Sequence, residues 1–426
     1  MPAKIFIERM MHRSSIAVHG ESAASYALLK LIPAGGGGGA PLGLNLALAL
    51  DVSGSMYEED GTGISRINRI QQAALAAIEK LKPDDTMAII AFANGGQLAL
   101  PSTPLSEKDK IVDVIQRIDR IHDDPGGTTM DEGIHLGLTE VEKLIKPGRL
   151  SQVVVLTDGE TSGEQMCRQL AQEAAKKKIR LTMMGVGTEW NATLIKDLAK
   201  MSEGSWHYID VNQAEEAQRV FLEEFEQLAA TGFLDVELHI RPTKDVKIKR
   251  VRQVVPEIRE LKCEEPEERH LVAGLGTLER DNPTRYILDM SLPKRPDGKF
   301  VIAQLEVTFD PGSGQRESSG MLPLEMVYTS AGHGYINAEV AKHIDEVQIY
   351  ELNANLQKAI ATNDTQQAQA VAEQIVKKGE LMGPRAAKKT MLAKQVVHEI
   401  NFGGRVSKKT QLAVDDAARV AEEMPV

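Results

Sequence analysis

Three short stretches of the chain concentrate oxygen-bearing side chains. In "ALALDVSGSMYEED", residues 47–60, an apolar run ends in Asp51, and Ser53 and Ser55 follow at alternate positions. In "DDPGGTTMDEG" a Gly-Gly turn leads to Thr128 and Thr129, just ahead of a helical pattern. In "VVVLTDGE" Thr157 and Asp158 end the most strand-like run of the sequence. One carboxylate and two hydroxyls, turned to one centre by a tight turn at Gly54, form a hard all-oxygen donor set. Such a set suits Mg²⁺ or Mn²⁺ rather than zinc. Each stretch alone has a plainer explanation. A strand-end Asp followed by Gly is a common turn, and Ser or Thr before a helix is a common N-cap. Three such loops within one unit argue for a shared site.

The elements that would position these loops alternate between strand and helix from residue 44 to about residue 229. "LNLALAL" has strand length, and "RINRIQQAALAAIEKL" carries Ile67, Ile70, Ala74, Leu75, Ile78 and Leu81 at helical spacing. The strands "TMAIIAF", "GQLALP", "SQVVVLT", "IRLTMMGV" and "SWHYIDV" are separated or followed by helical segments that end with "AEEAQRVFLEEFEQLA". This pattern predicts an α/β fold, a doubly wound, mostly parallel sheet with helices on both faces. Asp51 then lies just past the carboxyl end of a strand, where open α/β sheets bind their ligands.

The flanking regions differ. Residues 1–42 hold a strand pattern, "SYALLKLIP", and a glycine-rich linker from Pro33 to Pro41. Residues 231–330 show several short strands with polar turns, the pattern of an antiparallel β-sandwich. The strands before the glycines are expected to join that sandwich, leaving residues 43–230 as an inserted α/β domain. Cys263 falls in an acidic, loop-like stretch. Residues 331–426 turn helical, with a hairpin about "TND" and a basic run from Arg385 to Lys409 that reads as a solvated helix face.

"DVSGS", "GGTT" and "LTDGE" together resemble the metal-ion-dependent adhesion site of von Willebrand factor type A domains, over residues 44–229. The resemblance implies that Asp51, Ser53, Ser55, Thr128 and Asp158 line a site for Mg²⁺, with Mn²⁺ or Ca²⁺ as substitutes. It implies a protein partner that supplies an Asp or Glu to the ion. AAA+ ATPases, kinases and phosphatases are the candidate partner systems. Glu58 and Glu59 sit at a spacing similar to that of a second metal site in integrin β-subunit domains. The simpler reading of them is an acidic solvated loop.

A formal charge of −11 argues against a nucleic-acid or anionic-membrane partner. No run of 18 or more apolar residues suggests a membrane span. Two cysteines and no recognisable signal segment suggest the cytoplasm. The rival readings are a Mg²⁺-dependent phosphohydrolase and a domain whose metal is only structural. The first needs a second acid two residues after Asp51, and Ser53 stands there. His122, the histidine closest in sequence to a proposed metal loop, reads as a surface residue. The sequence therefore leads to a non-enzymatic, metal-dependent protein-binding scaffold.

Overall fold

The N-terminal strands β1 (Lys4–Met11), β2 (Ile16–Ala17) and β3 (Ala23–Ala34) precede the alternating region. That region comprises β4 (Gly43–Asp51), α1 (Arg66–Ile78), β5 (Thr86–Ala93), β6 (Gly95–Pro104), α2 (Lys108–Gln116) and α3 (Met130–Glu142). It continues with β7 (Arg149–Thr157), α4 (Glu164–Lys176), β8 (Arg180–Val186), α5 (Ala192–Met201), β9 (Trp206–Ile209) and α6 (Glu216–Ala230). The computed structural model describes residues 4–18, 23–34, 42–59, 63–121, 126–210, 215–280 and 282–420. Most of the predicted glycine linker, from residue 35 to residue 41, lies outside them, as does His122. The chain divides into two units. One is Met1–Gly39, Gly232–Pro311 and Gln315–Val426; the other is Ala40–Thr231 with Gly312–Gly314.

In the second unit the sheet order is β6-β5-β4-β7-β8-β9. All neighbours are parallel except the edge strand β6, which runs antiparallel to β5. Eight of the nine residues of β4 are buried, because helices cover both faces of a parallel sheet. The N-cap Ser65 accepts from the Asn68 amide and starts α1, whose Ile67, Ile70, Ala74, Ala77 and Ile78 face inward. Helix α3 lies unusually close to the sheet. A Cβ on Gly133 would come within 2.5 Å of the Phe92 ring, and one on Gly137 within 2.7 Å of Val153. The absence of side chains at both positions sets the depth of α3, and with it the loop that carries Thr128.

In the first unit β10 (Thr231–Pro242), β11 (Lys247–Val255), β12 (Arg259–Leu261), β13 (Cys263–Glu267) and β14 (His270–Glu279) follow α6 in sequence. Strands β15 (Thr284–Leu292), β16 (Gly298–Asp310), β17 (Glu317–Ser318) and β18 (Leu322–Thr329) complete two sheets. Their orders are β1-β3-β15-β11-β12 and β13-β14-β10-β16-β18-β2, with β17 beside β16. The pairs β1–β3, β3–β15, β15–β11, β11–β12, β13–β14, β10–β16, β16–β17 and β16–β18 are antiparallel, and β18 runs parallel to β2. Strand β3 shows why the apolar run "ALLKLI" does not alternate. Leu29 and Leu31 enter the sandwich core, while Leu28 packs on the other face against Val340 and Val347. Those two residues belong to α7 (Ala338–Ala361), which with α8 (Thr365–Met382), α9 (Ala387–Gly403) and α10 (Lys408–Arg419) forms the C-terminal helical module.

The fold is thus a doubly wound, mostly parallel α/β sheet whose sequence interrupts an antiparallel sandwich, followed by a helical module. One local expectation needs correction. The stretch after Cys263 is not a loop but the edge strand β13, paired with β14. Its residues 264–267 are exposed, so the glutamates that disguise it in the sequence project to solvent, where charge guards a sheet edge against further pairing. Among the described residues no helix is long and apolar enough to cross a membrane.

Candidate metal centre

The order of the sheet locates its ligand crevice. From β4 the chain adds β5 and β6 on one side, then returns to place β7, β8 and β9 on the other. The reversal falls between β4 and β7, and at such a switch point the loops after the two strands part and open a crevice. Asp51 is the last residue of β4, and Thr157 is the last of β7. Asp158 follows directly.

Four of the five predicted side chains are linked by hydrogen bonds around this crevice. Ser55 Oγ donates to Asp158 Oδ1 at 2.7 Å and stands 3.2 Å from Ser53 Oγ. Asp51 Oδ1 accepts from the Ser53 amide at 2.9 Å, and Oδ2 accepts from the Thr157 hydroxyl at 2.7 Å. A short 3₁₀ turn, Gly54–Tyr57, follows Ser53 and anchors the loop by burying Met56. The fifth residue, Thr128, approaches from the loop before α3. Its Oγ1 lies 3.3 Å from where a Cβ on Gly159 would sit. Gly159 therefore lets the threonine loop close on the aspartate loop. Thr129 does different work: its hydroxyl donates to the Ala93 carbonyl and accepts from the Gly95 amide.

The donors fit a hard divalent cation. Asp51 is fully buried and Asp158 almost so. Burial pushes the Asp51 carboxyl up to about 6, against the pull of bonds from Ser53 and Thr157, and the charge of Asp158 raises it further. The buried Asp51 carboxylate, whose hydrogen-bond partners are neutral, is costly unless a cation compensates its charge. Among the described residues no group of three or more His, Cys, Asp or Glu forms a metal cluster, so a cation here depends on the Ser and Thr oxygens.

Arg66, the first residue of α1, joins the site without having been expected from the sequence. Its Nη1 donates to Asp158 Oδ2 at 2.6 Å and to the Ser55 carbonyl at 3.4 Å, and its Nη2 lies 3.0 Å from Glu58 Oε2. A signal was present. A cation in the first turn of a helix opposes the helix dipole, so it implies anions close by. Glu58 and Glu59 are both exposed, and Asp60 lies outside the described residues.

A doubly wound sheet with an acidic, hydroxyl-rich crevice at its switch point defines an α/β ligand-binding domain. Residues 45–223 match the model of the von Willebrand factor type A domain. Over these residues the chain carries such a domain, a protein-interaction module. An uncharacterized protein of Synechocystis sp. is 29% identical over 343 residues, covering 79% of this chain and 78% of that protein. The uncharacterized protein YfbK of Escherichia coli is 26% identical over 225 residues, 52% of this chain and 37% of its own length. The solved structure of von Willebrand factor type A from Catenulispora acidiphila gives a TM-score of 0.81 at 16% identity, over 99% of this chain and 97% of its own. The ArnB paralog VWA2 from Sulfolobus acidocaldarius gives 0.55 at 14% identity, over 98% of each chain. At such identities these structures are similar in fold.

Proposed function

We propose that this chain is a metal-dependent protein-binding scaffold. Asp51, Ser53, Ser55, Thr128 and Asp158 would hold Mg²⁺, with Mn²⁺ or Ca²⁺ as substitutes, and the partner protein would bring an Asp or Glu to the site. The ion, when bound, supplies a hard positive centre with a position open to an anionic oxygen. The chain's own residues do the rest. Thr157 and the Ser53 amide fix the Asp51 carboxylate, and Ser55 orients Asp158. The observation that carries this reading is the linked set of Asp51, Ser53, Ser55 and Asp158 at the switch point of the sheet.

Binding rather than catalysis is favoured because Ser53, not an acid, stands two residues after Asp51. A phosphohydrolase would need a proton donor for the leaving group. Two free cysteines support a reducing, cytoplasmic setting, in which an ATPase, kinase or phosphatase system is the kind of partner to seek. Calorimetric titration of Mg²⁺ into the wild type and Asp51→Ala tests the site. Saturable binding lost in the variant is the expected result, and equal affinity in both would sink the assignment. For an identified partner, binding should require Mg²⁺ and one surface acid of that partner. Binding unchanged in EDTA would instead make the metal structural.

A further inference from the structure

We infer that Arg66 is a positioning residue of this site, which keeps Asp158 from becoming a direct ligand of the cation. The inference rests on the cation-site reading above and goes beyond it by giving the two buried carboxylates unequal roles. Both oxygens of Asp158 accept a hydrogen bond: Oδ1 from Ser55 Oγ at 2.7 Å, and Oδ2 from Arg66 Nη1 at 2.6 Å. The bond to Arg66 is charge-assisted and sheltered, since the arginine side chain is 18% exposed and the aspartate side chain 0%. Asp51 has no such counter-charge. Its bonds come from a hydroxyl and an amide, both neutral.

The consequence follows from charge. A guanidinium never loses its proton under ordinary conditions, so the charge of Asp158 is permanently answered by Arg66. Asp51 is then the only anion of the set left to compensate a divalent ion directly. A cation with one anionic contact from its own chain retains a stronger demand for an outside carboxylate than one with two. Arg66 thereby trades affinity for the ion against affinity for an acidic partner. Its position is held from three sides, by Asp158, by the Ser55 carbonyl and by Glu58. That restraint offsets the unfavourable placement of a cation at the start of α1.

The test uses Mn²⁺ as the probe on the full chain. Free Mn²⁺ is followed by its electron paramagnetic resonance signal, and exchangeable waters on the bound ion by water-proton relaxation. Arg66→Gln should bind Mn²⁺ about tenfold more tightly, the scale on which one neighbouring charge shifts such an equilibrium. It should also show lower relaxation per bound ion, because a freed Asp158 displaces a water. Arg66→Lys, which keeps the charge, should stay near the wild type. If Arg66→Gln does not fold, as judged by circular dichroism, Arg66→Met replaces it with the same expectations. Unchanged or weaker Mn²⁺ binding in the neutral variant, with the wild type binding normally, overturns the role of Arg66 alone. A wild type that binds no Mn²⁺, or an Asp51→Ala variant that binds it equally well, overturns the cation site and this inference together.

Discussion

The Thr157 hydroxyl donates to Asp51 Oδ2 across the seam between β4 and β7 at 2.7 Å. The bond fixes the rotamer of a carboxylate that has no access to water, and it leaves the desolvation cost of that charge largely unanswered when no cation is bound. Asp51→Asn should therefore melt at a higher temperature than the wild type in EDTA, with a gain on the order of 1–3 kcal/mol. The amide can be accommodated, because Thr157 can accept from it and donate to the Gly159 carbonyl, 3.4 Å away. Mg²⁺ should raise the melting temperature of the wild type and leave that of the variant unchanged. Calorimetric scans in EDTA and in Mg²⁺ check both statements.

The neighbouring threonines should separate by function. Thr129→Ala removes a hydroxyl that bonds Ala93 and Gly95, and should cost about 1–2 kcal/mol of stability in the absence of metal. Thr128→Ala should leave the metal-free melting temperature nearly unchanged and weaken Mg²⁺ binding. The reverse pattern would assign the ligand role to Thr129.

Far along the chain from these loops, Glu224 of α6 is buried among Gln152, Thr182, Ser205 and His207. Burial alone would raise its carboxyl. The bond and charge of His207, the charge of Arg180 and the Gln152 amide outweigh it and bring the group from 4.5 to about 2. A carboxyl whose folded pKa is depressed stabilises the fold above its unfolded value. That contribution is complete above about pH 4.5 and is lost as the pH falls towards 2. Glu224→Gln should accordingly lose on the order of 3 kcal/mol at neutral pH and approach the wild type near pH 2. Melting temperatures across that range decide it, and parallel curves would refute the assignment.

The thiols should differ sharply in reactivity. Cys167 is fully buried, and burial, followed by the charge of Asp131, pushes its thiol up to about 12. Cys263, at the start of the edge strand β13, is half-buried, with its thiol raised by burial and by Glu260. Iodoacetamide should label Cys263 in the native protein, faster as the pH rises, and should reach Cys167 only in denaturant. Mass spectrometry of peptides after timed labelling reads the order directly. Native labelling of both at one rate would contradict it.

The sheet and its crevice were legible in the sequence because they depend on short-range pattern. An apolar run that stops at Asp51, and another that stops at Thr157 and Asp158, mark two strand ends without any knowledge of pairing. What the sequence hid depends on distant residues. Arg66 meets Asp158 only after β7 has been placed beside β4. The partners of Glu224 come from β7, β8 and β9 and the turn before β9, so nothing near it in sequence announces its burial. Strand β13 was hidden for a different reason. Glutamate is depleted in strands, and an edge position tolerates it because the side chains need not be covered.

The pairing of β3 with β15 joins Leu31 to Thr284 and Ala23 to Leu292, with the whole α/β unit between them in sequence. During synthesis, β3 emerges long before the strand that will cover its second edge. The open edge of the β1–β3 hairpin is then a site for wrong pairing with other chains. The intervening unit is built mostly of parallel crossovers, with one antiparallel edge strand, and its sheet pairs only its own strands. Once folded, it replaces a long flexible loop, whose closure cost grows only slowly with length, with a structured one. On this topology the α/β unit is expected to fold first and the sandwich second. A lesion that slows the α/β unit, such as a bulky residue at Gly133, should therefore show itself first as aggregation of unfinished sandwich strands.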